Sequence, residues 1–337
     1  MFIALAVALV ASVLPAGEDR LVRKDWRVPG GEGTLGVREV RLTSAARARP
    51  VVLLHGARVP GIASFDLPVA GGSLAEDLAR AGHRVFVLDA RGYGRSTRPA
   101  SMSGPAGAHP PAVTGEAVVR DIDAVVRWSR AQRVDLVGWA TGGHWAAWYA
   151  SEHPRRVANL VVYNSLYGAV AGHPMLEQYA DPDRPGHFDN GVGAYRLSAA
   201  ADLLPAWDAS IPVPDKTEWR DPAVAQSYVD QALASDPTAE DRDPPSFRAP
   251  NGAMKDSYHL ATGRQLWDAG EIRARTLVLR SEYDFWSRAE DLPTLAADLA
   301  RAKEVRTVTL AGATHHVHLD RTTKGRGQLV EELLGWL

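Results

Sequence analysis

The stretch that decides the fold is Asp135-Leu136-Val137-Gly138-Trp139-Ala140-Thr141-Gly142-Gly143. A short apolar run leads into a glycine, a tight bend follows, and Gly142 to Ser151 then reads as a helix, giving strand, sharp turn, helix. The glycines stand two residues before and two after Ala140. That spacing has a steric reason. The residue at the tip of such a bend takes a strained backbone conformation, and only small neighbours at those positions let strand and helix pass closely.

Working outward, the same alternation recurs. Val51 to Leu54, stopped by His55-Gly56, reads as a strand buried on both faces. Ser73-Leu74-Ala75-Glu76 is a capping box opening a helix that Gly82 ends. Arg84 to Leu88 is a strand closing in a glycine-rich turn, Asp89 to Ser96. Val118, Ile122, Val125 and Val126 recur at helical spacing, which predicts an amphipathic helix over Gly115 to Gln132. Further strands are predicted at Arg133 to Val137, Val157 to Tyr163, Thr276 to Leu279 and Val305 to Leu310, with a last helix from Gly327 to Leu337.

Strands separated by helices imply an α/β fold with a doubly wound, mostly parallel sheet. From about Gly168 to Gly263 the rhythm breaks: no clean strand is visible, and prolines crowd the stretch from Pro205 to Pro250. We read residues 168–263 as an inserted helical cap over the carboxyl ends of the strands, with 19–167 and 264–337 as the core; a separate small domain is the alternative.

Composition bounds the function. The chain has 337 residues, 45% hydrophobic and 23% charged, enough to bury a large core. Its 38 Lys and Arg against 40 Asp and Glu leave a net charge of -2, with no footprint for nucleic acid. The absence of cysteine excludes disulfides, thiolate metal sites and a cysteine nucleophile. Met1 to Leu14 is apolar except for Ser12. It is shorter than the roughly 20 residues a membrane-spanning helix needs. It has signal-peptide length, although no Lys or Arg precedes it and Leu14 and Ala16 make a poor cleavage site. Residues 1–18 are therefore expected to be a signal-like or packed apolar segment, with a secreted or periplasmic location favoured.

The bend resembles the α/β-hydrolase family, whose pattern there is G-x-S-x-G, and the likeness covers nearly all of the chain after about residue 19. It implies an α/β-hydrolase fold of the serine-esterase branch. The family's nucleophile position falls on Ala140, which has no nucleophile. Either a serine has been replaced, or the protein is a natural non-catalytic relative that binds ligand. An aspartate origin, as in epoxide hydrolases and dehalogenases, is disfavoured because Ala57 and Thr141 depart from those patterns.

The resemblance carries the remaining roles in the order nucleophile, acid, histidine. Asp284, after the strand ending at Leu279, maps to the acid, with Glu282 second. His315 maps to the general base, with His316 next to it as the competitor and His318 expected to pack. The amides of Ala57 and Thr141 map to an oxyanion hole. Arg58 stands beside it, facing either a substrate carboxylate or a salt bridge to the cap. Trp139, His144 and Trp286 are expected to line the pocket, and Tyr195, Trp207, Trp219 and Tyr258 are further candidates for an apolar wall. The tract His315, His316, His318 lacks a matching ligand cluster, so no metal and no cofactor is expected. The implied activity is hydrolysis of an ester, lactone or thioester of small size, with Ala140 leaving the chain inactive.

Overall fold

The computed structural model describes residues 19–168 and 170–337; the apolar Met1 to Leu14 run lies outside the described residues. The strands are β1 (Leu21–Gly30), β2 (Gly33–Leu42), β3 (Pro50–Leu54), β4 (Arg84–Leu88), β5 (Val134–Trp139), β6 (Val157–Tyr163), β7 (Tyr195–Ala199), β8 (Ser246–Pro250), β9 (Arg275–Tyr283) and β10 (Glu304–Thr314). The helices are α1 (Gly61–Phe65), α2 (Leu74–Arg80), α3 (Gly115–Trp128), α4 (Thr141–Glu152), α5 (Pro205–Ser210), α6 (Pro222–Ala234), α7 (Gly252–Ala261), α8 (Asp291–Asp298) and α9 (Gly327–Trp336).

Eight strands form one sheet in the order β1-β2-β4-β3-β5-β6-β9-β10. From β4 to β10 every pairing is parallel, while β2 runs antiparallel to both β1 and β4. β3, β5 and β6 are buried along their whole length, as strands covered on both faces must be. One face packs on α3 and α4 through Val118, Ile122, Trp145 and Tyr149, and the other on α2 and α9 through Leu74, Leu78, Leu329 and Leu333.

The chain leaves β3 toward β4 and returns to place β5 on the opposite side of β3. Two loops diverge at that point, His55 to Arg58 after β3 and Ala140 after β5. Open α/β sheets hold ligands in such a crevice.

One expectation needs correction, and one hairpin lies beyond the strands expected from sequence. The hairpin β1–β2 shows no clean apolar alternation because its outer strand is charged and half exposed (Arg23, Lys24, Asp25, Arg27) at an edge. The stretch between β6 and β9, expected to hold no clean strand, does contain strands: β7 and β8 pair antiparallel from Tyr195↔Pro250 to Ala199↔Ser246, 47 residues apart in sequence at their near ends, Pro250 closing a two-stranded edge where a missing N–H does no harm. No helix among the described residues is long and apolar enough to cross a membrane.

Candidate active site

The tip of the bend is Ala140, with φ 52° and ψ -121°. That is a left-handed conformation costing an L residue about 1–3 kcal/mol, held only when the surroundings over-determine it. Here they do. The Ala140 amide donates to the Tyr163 carbonyl at 2.9 Å, and its own carbonyl accepts from the Gly143 amide at 2.9 Å. A Cβ on Gly138 would run into the Gly142 carbonyl oxygen, and one on Gly142 into the Leu54 carbonyl oxygen. The bend is therefore closed on both sides.

His315 follows β10 and Asp284 follows β9. The imidazole Nδ1 donates to Asp284 Oδ1 at 2.5 Å, which leaves the other ring nitrogen for the cavity that His315 lines. Asp284 is buried and also accepts from the amides of Trp286 at 3.0 Å and Ser287 at 2.9 Å, and from the Ser287 hydroxyl. Burial alone would raise its pKa; the facing His315 and these donors outweigh burial and hold the carboxyl below its usual range.

The loop that carries His315 is fixed from below. Asp320 accepts from the Thr314 amide at 3.0 Å and from the Trp207 indole at 2.9 Å, and burial pushes its carboxyl up to about 6. The Asn164 side-chain amide and the Trp139 indole both donate to the His315 carbonyl, at 3.0 and 2.9 Å.

The loop after β3 is equally braced. His55 Nδ1 donates to the Gly56 carbonyl at 2.7 Å and Nε2 accepts from the Ala90 amide at 3.2 Å, a neutral tautomer that burial favours by pulling the imidazole below its usual range. The Ala57 carbonyl accepts from Tyr93 Oη at 2.8 Å and Arg196 Nη2 at 2.7 Å. Asp89 takes the amides of Gly61 and Arg95, so the glycine-rich turn serves as scaffold. The amides of Ala57 and Thr141 have no acceptor among the described residues, and both residues border the cavity.

That cavity, about 170 Å³, is where most of the singled-out positions meet: Ala57, Arg58, Trp139, Ala140, Thr141, Trp286 and His315 all line it. His144 does not. It lies one turn down α4, roughly 6 Å along the helix axis. There it is fully buried against Trp148 and accepts from the Trp267 indole at 2.8 Å, with burial pulling its imidazole down to about 3.

Glu282 is exposed and accepts from the Gly312 amide instead of a histidine. His316 also borders the cavity, but its ring stacks on Trp207 at 4.8 Å and has no carboxylate partner among the described residues. His318 is packed beneath Trp139, 4.4 Å between ring centroids. Of the further aromatic candidates, Trp207 backs His316, whereas Tyr195, Trp219 and Tyr258 lie off the cavity. Arg58 borders the cavity and donates to the Asp202 carbonyl at 2.7 Å, a bond to the insertion without an ion pair.

The sequence also hid several lining residues: Arg196, Tyr228, Met254 and Phe285. None sits in a motif. Arg196 and Tyr228 come from the irregular insertion, where no spacing signals which side faces inward. Among the described residues no group of three or more His, Cys, Asp or Glu could hold a metal ion.

A family model described as alpha/beta hydrolase fold matches residues 49–322. A 2-hydroxy-6-oxononadienedioate/2-hydroxy-6-oxononatrienedioate hydrolase of Cupriavidus pinatubonensis is 33% identical over 135 residues, 40% of this chain and 40% of that protein. The abhydrolase domain-containing protein abhd-5.2 of Caenorhabditis elegans is 34% identical over 117 residues, 34% of this chain and 22% of that protein. The chain thus spans less than half the length of these curated relatives. Among solved structures, an esterase from Exiguobacterium antarcticum is similar with a TM-score of 0.60 at 15% identity, covering 92% of this chain and 97% of that chain, a likeness of fold.

Proposed function

This chain belongs to the alpha/beta hydrolase fold family, and on that footing we propose that its cavity binds a carboxylic ester or related acyl compound, such as a thioester or lactone, in the pose for attack at the carbonyl. The observation that carries this is the Asp284–His315 pair, bonded at 2.5 Å, with His315 bordering the same cavity as Ala140. Asp284 fixes the imidazole tautomer and stabilises the imidazolium, and His315 is the general base and then the general acid. The free amides of Ala57 and Thr141 are the oxyanion donors, each worth about 10²–10³ in rate where such donors have been removed. Residues 168–263 act as the cap that roofs the ligand.

Ala140 removes the attacking group. The methyl cannot form an ester bond, so the chain holds its acyl ligand without an acyl-enzyme. The backbone donors do not depend on that side chain, and binding survives. A ligand-holding role in its own right is favoured by the same residue.

The test is Ala140→Ser assayed on p-nitrophenyl esters, thioesters and lactones. Hydrolysis is expected to appear and to fall about 10³-fold or more when His315→Ala is added. Absence of hydrolysis across the panel removes the acyl reading and leaves a binding protein.

A further inference from the structure

The arginines of this fold are mostly neutralised. Arg91 pairs with Asp121 at 2.6 Å, Arg248 with Asp236 at 2.8 Å and Arg288 with Asp291 at 2.8 Å. Arg98, Arg133 and Arg280 donate only to backbone carbonyls, and at the cavity Arg196 and Arg58 also lack a carboxylate partner among the described residues. Arg196, on β7, donates only to neutral oxygens: the Ala57 carbonyl at 2.7 Å, Asn251 Oδ1 at 3.3 Å and the Pro250 carbonyl at 3.4 Å. Arg58 donates to the Asp202 carbonyl alone. These bonds satisfy donors and leave both charges uncompensated. Both side chains border the cavity, and no Asp or Glu among the described residues lines it.

Burial pulls the Arg196 guanidinium below its usual range, and nearby Arg58 repels it further. A desolvated cation with a like charge beside it is costly unless an anion completes the site.

We propose that Arg196 and Arg58 form an anion subsite that takes a carboxylate borne by the acyl ligand itself, so that the ligand is a half-ester of a short dicarboxylic acid or its thioester or lactone equivalent. This rests on the acyl reading above and adds the charge of the ligand. The spacer is short because Arg196 grips the carbonyl of Ala57, the residue whose amide faces the reacting carbonyl. A planar guanidinium suits a carboxylate, which it meets through two parallel hydrogen bonds.

The experiment uses the chain as it is. Monomethyl glutarate and dimethyl glutarate are titrated at neutral pH and low salt, following the fluorescence of Trp139 and Trp286 in the cavity wall. The half-ester is expected to bind about tenfold tighter or better, the equivalent of about 1.4 kcal/mol. In Arg196→Gln the ratio should drop below about threefold and in Arg58→Gln to an intermediate value, whereas Arg196→Lys, which keeps the charge but loses the two-bond fork, should retain only part of it. Arg58 is exposed, so its variant decides the matter even where Arg196→Gln fails to fold.

A ratio near one in the unaltered chain, a ratio unmoved by both glutamine variants, or no saturable binding of either compound overturns the subsite. Equal binding together with esterase activity in Ala140→Ser sinks the subsite alone. A half-ester preference with an inert Ala140→Ser sinks the acyl reading alone.

Discussion

The indole N–H of Trp139 donates to the backbone carbonyl of His315 at 2.9 Å, joining the residue before the bend's tip to the histidine that faces it across 176 positions of sequence. The bond spans the end of β5 and the loop after β10, which are not neighbours in the sheet. It therefore sets the spacing between residue 140 and the imidazole directly, without passing through the intervening strands. Asn164 shares the same carbonyl, so the loss is partly cushioned.

Trp139→Phe keeps the ring and removes the donor. Stability should fall by about 1 kcal/mol in denaturant unfolding. In an Ala140→Ser background the same change should lower kcat more than it raises KM, because positioning is lost and pocket shape is not. An unchanged kcat would show that Asn164 alone holds the loop.

Asp284→Asn tests the carboxylate apart from its shape. In the Ala140→Ser background kcat should drop about 10⁴-fold, since an amide can hold the imidazole in the wrong tautomer. Circular dichroism should show the fold retained near neutral pH. The carboxyl is depressed in the folded state, so its stabilisation is present above the unfolded value of 3.8 and fades as pH falls through the lower folded value. Acid unfolding of Asp284→Asn should accordingly begin from a lower starting stability and fall less steeply below about pH 4.

Ala140→Gly probes the strain at the tip. Glycine adopts φ 52° freely, so relief of about 1–3 kcal/mol competes with loss of one buried methyl, about 0.8 kcal/mol, and with the greater unfolded-state entropy. The melting temperature should rise or stay level. A clear fall would mean that the methyl's packing outweighs the backbone conformation. Gly138→Ala and Gly142→Ala, by contrast, drive a Cβ into backbone oxygens and should each cost more than about 3 kcal/mol or prevent folding.

Asp256 gives the opposite pH signature to Asp284. It is buried, accepts the Gly115 amide, and burial pushes its carboxyl up to about 7 from 3.8. A raised carboxyl favours the protonated folded state. Its contribution is full below the unfolded value, is lost as pH climbs to about 7, and is constant beyond. Asp256→Asn should therefore flatten the decline in melting temperature between about pH 4 and about pH 7.

Much of the sheet could be read from the chain because its central strands are buried on both faces. Arg84 to Leu88 and Val157 to Tyr163 end where the apolar runs end. The bend around Ala140 is legible for a harder reason: backbone collision allows nothing but glycine at 138 and 142, and sequence records that prohibition. That Asp284 and His315 would meet followed from the family resemblance, which orders acid and histidine along the chain. Arg196 was not legible, since its place in the cavity is set by a carbonyl 139 residues away. His144 misled because nearness in sequence to the tip says nothing about depth along a helix.

The bond from Arg196 to Ala57 has a mechanical consequence. It rivets the β7–β8 ribbon to the loop after β3, so the wall of the cavity is not a free hinge on that side. Any opening there must either strip a guanidinium from its acceptors or drag residues 55–58 out of register. That side is then the fixed jaw of a vice, and any movement that admits ligand belongs to the rest of the rim.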